Sequence, residues 1–302
     1  MPLPERAIQR RRYWLDEIVQ ISGRFGQDTA RVIDELKEEI NRDGVIALLD
    51  HLRLCGAIPE QYGHDTSEEK LYSKYTDALL AAAFDHMGMT SIVLDERADA
   101  ADVEAVAPDY SLVADAKVFR LSRTAKNQKD FKIEAMDGWK RGKPHAMVVC
   151  PIYQLPSRTS QIYQQAIARN VCVFSYSHLC VLLQYASAKG SAHAQRLLLK
   201  IFTCTENMSP TKDAVFYWTA LNRTMLGFDD LILDYWNEEK PITLDAIAFA
   251  KEEALTFLAQ ERERIMRMSR EQAITALIQD RRIDGRERVI RNVADNGLFV
   301  IV

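Results

Sequence analysis

Between Ser111 and Phe119 the chain reads SLVADAKVF, an apolar stretch that carries one carboxylate and one ammonium. Side chains alternate along a strand, so Leu112, Ala114, Ala116 and Val118 make a wholly apolar face while Val113, Asp115, Lys117 and Phe119 share the other. The apolar face packs under a helix. The opposite face then presents Asp115 and Lys117 about 7 Å apart along the strand.

The flanking sequence supplies the cover such a strand needs. Ile8, Leu15 and Val19, then the apolar run 45–54, give helical stripes in the first 60 residues. Thr66 with Glu69 forms a capping-box pattern that opens a helix with Leu71, Leu79, Ala82 and Ala83 on its apolar face, ending near Gly88. TSIVLD (90–95), ADVEAVA (101–107) and YSLVADAKVF (110–119) read as strands, with Pro108 and Asp109 at the turn between the last two. Phe131, Ala135 and Trp139 restore the helical period. Two β–α steps follow, AMVVCPIY (146–153) with TSQIYQQAIARN (159–170), and VCVFSY (171–176) with a helix capped by Ser177. From Ala192 onward the pattern is helical, with Ser209–Pro210 and Ser269…Gln272 as helix starts. Short apolar strands alternating with helices require cover on both faces, so the expected fold class is α/β (α+β), a mixed sheet flanked by helices. The expected organisation is an N-terminal helical region (1–65), a core (66–185) and a helical C-terminal region (186–302).

Composition narrows the function classes. At 302 residues and 47% hydrophobic content the chain builds a large core, and a net charge of −4 excludes a protein that holds nucleic acid by being basic throughout. Positive charge is concentrated instead: residues 117–143 hold nine Lys and Arg against three acids. Five widely spaced cysteines form no paired metal or redox motif, and the charged N-terminus and absence of a long apolar run point to a reduced, cytoplasmic setting with no membrane partner.

Asp102 and Glu104 share a face of the strand before Asp115. If the two strands are antiparallel neighbours, Asp102 and Asp115 converge, and a divalent cation is the usual remedy for their repulsion. Mg2+ fits best, because it takes hard oxygen ligands and is commonly held by one or two carboxylates together with a substrate phosphate. Lys117 beside it would orient water or stabilise charge on a phosphoryl oxygen, which implies phosphodiester hydrolysis. The acid-x-Lys pattern alone is weak, since ELK (35–37), EEK (68–70), DFK (130–132) and EEK (238–240) recur in helical segments. A structural Asp–Lys ion pair is the competing reading. Asp109 belongs to the hairpin turn, and Glu69 is a further candidate ligand whose alternative role is helix capping.

The stretches LVADAK (112–117) and FRLSRTAKNQKDFK (119–132) closely resemble the HindIII restriction endonuclease family, with weaker likeness through EEKLYSK (68–74), ADV (101–103) and SHLCVLLQ (177–184). The resemblance implies a PD-(D/E)xK restriction-endonuclease-like fold with helical additions at both ends, its nuclease core and DNA-reading segment lying within 66–185. It implies a Mg2+-dependent type II restriction endonuclease, a homodimer cutting double-stranded DNA at the palindrome AAGCTT after the first A to leave 5′-phosphates, paired with a protective DNA methyltransferase. By position, Asp102, Asp115 and the Ala116 backbone carbonyl would be metal ligands and Lys117 the catalytic lysine, although Ala101 stands where the family pattern often has proline. The polar run gains a role: Arg120, Ser122, Arg123, Asn127 and Gln128 suit base edges, and Lys126, Lys129 and Lys132 suit phosphates, the alternative being ordinary solvated charge. A repair or structure-selective nuclease, or a DNA-binding protein without catalysis, are the other readings. The stripe of Leu255, Leu258, Ile265 and Met268 is a candidate subunit contact or simply the edge of the core.

Overall fold

The computed structural model describes residues 2–94, 100–123 and 128–292, with the side chains of Gln128 and Lys129 outside that description. Helices α1 (Glu5–Val19), α2 (Phe25–Asp43), α3 (Val45–Leu54) and α4 (Ser67–His86) precede the strands. Then come β1 (Thr90–Val93), β2 (Val103–Val106), β3 (Ser111–Ala116), the short α5 (Gln128–Phe131), α6 (Ile133–Trp139), β4 (His145–Cys150), α7 (Gln161–Ala168) and β5 (Val171–Ser175). The remainder is helical: α8 (Tyr176–Lys189), α9 (Ser191–Glu206), α10 (Ala214–Leu226), α11 (Leu231–Met266), α12 (Arg270–Asp280) and α13 (Ile283–Arg291).

Among the described residues the sheet is five-stranded in the order β1-β2-β3-β4-β5. The first three strands run antiparallel and β3, β4 and β5 run parallel, which makes the mixed α/β sheet expected of a restriction-endonuclease-like fold. Every residue of β4 and β5 is buried, and so are successive residues of β3 from Leu112 to Ala116. Burial of successive positions means cover on both faces, hence the apolar runs in place of a polar–apolar alternation. The other end of the sheet is an edge, where Ile92 of β1 and Val106 of β2 remain exposed. Helix α4 lies against β1, β2 and β3, and α6 against β3 and β4.

Local chemistry sets the element boundaries. Thr66 caps α4 by accepting from the Glu69 N–H at 3.4 Å, and Gly88 (φ +75°) follows the helix in the left-handed region, where a Cβ would also meet Ser191. The expected capping box at Ser269 and Gln272 forms in full. Two other expected caps are displaced. Ser175, not Ser177, caps α8 by accepting from the His178 N–H, because β5 stops at Ser175, one residue earlier than expected, and the helix begins at once. Asp213, not Ser209, starts α10, its carboxylate taking the Val215 N–H at 2.8 Å. The helical period through Phe131 and Ala135 is also broken, since Lys132 takes a left-handed conformation (φ 47°) between α5 and α6. Asp95, at the end of the first expected strand, lies outside the described residues.

The chain forms two compact units, Met1–Ala254 and Leu255–Val302. One hydrophobic core in the first unit draws on residues from Trp14 to Ile232, so all three expected segments contribute to it. In the second unit Leu255, Leu258, Ile265, Leu277 and Ile290 are exposed. Among the described residues no helix is long and apolar enough to cross a membrane, and all five cysteines are free thiols.

Candidate active site

The hairpin between β2 and β3 decides which acids meet. The Ala107 N–H donates to the Tyr110 carbonyl at 2.8 Å and closes the turn around Pro108 and Asp109, and the ladder then pairs Val106 with Ser111 and Val103 with Ala114. One further step in the same register sets Asp102 opposite Asp115. The ladder with β1 also continues to this level, because the Leu94 N–H donates to the Asp102 carbonyl at 2.9 Å. Asp109 stays at the exposed turn, away from the ladder.

Asp102 and Asp115 are hydrogen-bonded through their carboxyl groups. Asp115 is 1% exposed and Asp102 half-buried. Burial, followed by the Asp115 carboxylate, pushes the Asp102 carboxyl up to about 7. Burial acts upward on Asp115 as well, but the Lys117 ammonium and the hydrogen bond from Asp102 outweigh it and hold Asp115 below the ordinary carboxylate range. The two carboxyl groups are therefore driven apart in pKa, Asp102 upward and Asp115 downward.

Lys117 completes the group. Its ammonium forms an ion pair with the buried Asp115 Oδ2. The backbone of Lys117 is fixed on both sides: its N–H donates to the Val149 carbonyl at 2.7 Å and its carbonyl accepts from the Tyr176 hydroxyl at 3.1 Å. In a parallel ladder, Val149 facing Ala116 and bonding Lys117 uses the peptide groups flanking Ala116. The Ala116 carbonyl thus points to the side of β3 where β2 has ended and Asp102 stands.

Glu69 is not brought to this pair. Its carboxylate takes the Arg120 guanidinium at 2.6 Å and the Asp65 N–H at 2.7 Å, the capping role weighed against metal ligation above. His64, Asp65 and Glu69 bring ligand atoms within 4.8 Å of one another, but at an exposed helix start and with Glu69 already engaged. The acid that α4 does deliver is Asp77, two turns beyond Glu69 and so about 12 Å further along the axis. It is 3% exposed, pairs with Lys74 at 3.5 Å, and feels the charges of Asp102, Asp115 and Lys117. The sequence signal was available: Asp77 shares a helix face with Leu80, Ala81 and Phe84, and an acid inside an apolar stripe needs a reason.

The segment expected to read DNA divides into parts. Arg120 is held by Glu69 and by the carbonyls of Tyr62 (2.7 Å) and Gly63 (2.9 Å). Ser122 gives its N–H and hydroxyl to Glu60 at 2.9 and 2.7 Å. Arg123 pairs with Asp130 and lies over the Phe119 ring, 5.4 Å from its centroid. Lys132 stands over Trp139 at 5.4 Å, and its charge is felt at Asp115. Lys126 and Asn127, with the side chains of Gln128 and Lys129, lie outside the described residues. Because Arg120 joins 62–63 to the start of α4, Arg120→Ala is expected to lower unfolding free energy by about 1–3 kcal/mol, measured by urea denaturation. No change in midpoint would place Arg120 outside the folded framework.

A mixed sheet whose central strand ends in a converged Asp–Asp pair with a lysine is the arrangement of a restriction-endonuclease-like protein. The family model for the HindIII restriction endonuclease matches residues 12–294, and the chain belongs to that family. It is similar to the type II restriction enzyme HindIII of Haemophilus influenzae (strain ATCC 51907 / DSM 11121 / KW20 / Rd), with 34% identity over 265 residues that cover 85% of each chain.

Proposed function

We propose that this chain is a Mg2+-dependent type II restriction endonuclease that acts as a homodimer on double-stranded DNA at AAGCTT, cutting after the first A to leave 5′-phosphates. The observation that carries this reading is the convergence of Asp102 and Asp115 at one strand end with the Lys117 ammonium on Asp115.

The donor set fits a hard divalent cation. Two carboxyl groups converge at one strand end, Asp115 among them buried, and the Ala116 carbonyl is directed to the same side, so the donors are hard oxygens. Bound Mg2+ would supply Lewis-acid polarisation of the phosphate and lower the pKa of water. Asp102 and Asp115 would hold it, both as carboxylates. Lys117, its backbone fixed by Val149 and Tyr176, donates from its ammonium to the attacking water or to a phosphoryl oxygen as negative charge develops. Water attacks the phosphorus in line and releases a proton to solvent, while the bond to the 3′-oxygen breaks and that oxygen takes a proton from solvent.

For DNA reading, Arg123, Asn127 and Gln128 suit guanine and adenine edges, and Lys126, Lys129 and Lys132 suit phosphates. Ser122 and Arg120 reach DNA only by leaving Glu60 and Glu69. A palindromic target asks for two copies related by a two-fold axis, and the exposed Leu255, Leu258 and Ile265 supply apolar surface for subunit contact. Sedimentation with specific DNA is expected to give a complex holding two 34.5 kDa chains per duplex, and a complex with one chain would remove the dimer. A DNA methyltransferase acting on the same site would complete the system in a cytoplasmic setting.

Digestion of a plasmid of known sequence tests the reading. Discrete fragments ending within AAGCTT are expected with Mg2+ and intact plasmid without it. A smear would favour a repair or structure-selective nuclease, and no cleavage with retained binding would favour a DNA-binding protein.

A further inference from the structure

The residue the metal reading leaves without a task is Asp77. A carboxylate that is 3% exposed, inside the apolar stripe of a helix, is costly unless something offsets its burial. Its ion-pair partner Lys74 sits one turn earlier on α4 at 3.5 Å. The same Lys74 ammonium reaches across to the sheet and donates to the Leu94 carbonyl at 3.4 Å. Leu94 in turn donates its N–H to the Asp102 carbonyl at 2.9 Å. A continuous chain of contacts thus runs from Asp77 through Lys74 and Leu94 to the backbone of Asp102, tying α4 to the point where β2 begins.

We propose that the Lys74–Asp77 pair of α4 is a positioning device for the cation site, holding Asp102 in register with Asp115 from the helix side. The inference rests on the reading of Asp102 and Asp115 as metal-holding acids and names residues outside that set. Asp77 does not ligate directly: it forms no ligand triad with Asp102 and Asp115 of the tightness seen at His64, Asp65 and Glu69, among the described residues. It acts on Lys74.

Asp77 is buried beside two other acids and feels the Asp102 charge, so it adjoins the pair as well as reaching it through Lys74. Evolution of a helix face toward apolar packing alone would place leucine or alanine there, as at Leu80 and Ala81.

The test uses Asp77→Asn, Asp77→Glu and Lys74→Gln in the full-length chain, with two readouts. The first is the Ca2+-induced rise in thermal midpoint without DNA, which reports cation binding independently of cleavage. The second is the Mg2+ concentration giving half-maximal cleavage. Asp77→Asn removes a buried charge at constant shape, so its fold is expected to hold by circular dichroism; Lys74, which is partly exposed, gives a second variant if it does not. Asp77→Asn and Lys74→Gln are expected to raise the Mg2+ midpoint about tenfold and to shrink the Ca2+ shift, with rate largely restored at saturating Mg2+ and DNA affinity unchanged. Asp77→Glu is expected to recover part of the loss. An unchanged Mg2+ midpoint and Ca2+ shift in both charge-removing variants would overturn the proposal. Wild-type protein that shows neither Ca2+ shift nor Mg2+-dependent cleavage would instead overturn the underlying nuclease reading.

Discussion

Asp115→Asn is expected to reduce cleavage by about a thousandfold or more while leaving sequence-specific DNA binding intact in a gel-shift assay with Ca2+-free buffer. The substitution keeps the shape and removes the charge on which the site turns. Asp115 is the acid held below the ordinary carboxylate range, and it anchors the Lys117 ammonium. Its loss therefore removes a metal ligand and releases Lys117 together. The backbone of β3 should be undisturbed, because its neighbours Leu112, Val113, Ala114 and Ala116 are buried apolar residues that hold the strand in place without it. A variant that cuts at near wild-type rate would show that the chemistry lies elsewhere.

The second large effect concerns stability. Arg53 of α3 and Glu239 of α11 form a two-pronged ion pair, Nη2 to Oε2 at 2.8 Å and Nε to Oε1 at 3.1 Å, with Glu239 only 2% exposed. Gln184 of α8 adds a contact to the same carboxylate at 3.4 Å, so the pair joins three helices. Breaking a buried pair from one side leaves an uncompensated charge, and Arg53→Met is expected to cost about 3–5 kcal/mol. Asp50, fully buried and also close to Arg53, loses one of its cationic neighbours at the same time. Adding Glu239→Leu to Arg53→Met should recover much of the loss, since no unpaired carboxylate then remains. Denaturant unfolding of the single and double variants measures both numbers. A single-variant cost below about 1 kcal/mol would mean that the Glu239 charge finds water or another partner.

The sheet and the central pair were legible because each rests on a short-range rule. Strand alternation assigns Asp115 and Lys117 to one face, and a turn around Pro108 and Asp109 fixes the register that brings Asp102 opposite Asp115. The continuous apolar runs of β4 and β5 announced burial on both faces. What the sequence left hidden depends on packing between distant segments. Nothing local says that Arg120 will join Glu69 and the carbonyls at 62 and 63, so a residue with base-reading chemistry is found bracing α4. An apolar stripe around Asp77 marks it as an acid that needs a reason, but which acid of α4 meets the pair is decided by which turn lies over the ends of β2 and β3. Lys132 shows a third kind of limit: apolar spacing through 131, 135 and 139 is helical on average, yet a single left-handed residue splits the segment and leaves its lysine standing over Trp139.

The pairing of Asp102 with Asp115 around a divalent cation is most directly tested by anomalous diffraction from crystals soaked in Mn2+, a spectroscopically heavier substitute for Mg2+ with the same preference for oxygen ligands. The expected result is a strong peak within coordinating distance of both carboxylates and the Ala116 carbonyl, with the Asp102–Asp115 hydrogen bond replaced by two metal–oxygen contacts. A peak confined to His64, Asp65 and Glu69, with Asp102 and Asp115 still bonded to each other, would contradict the account.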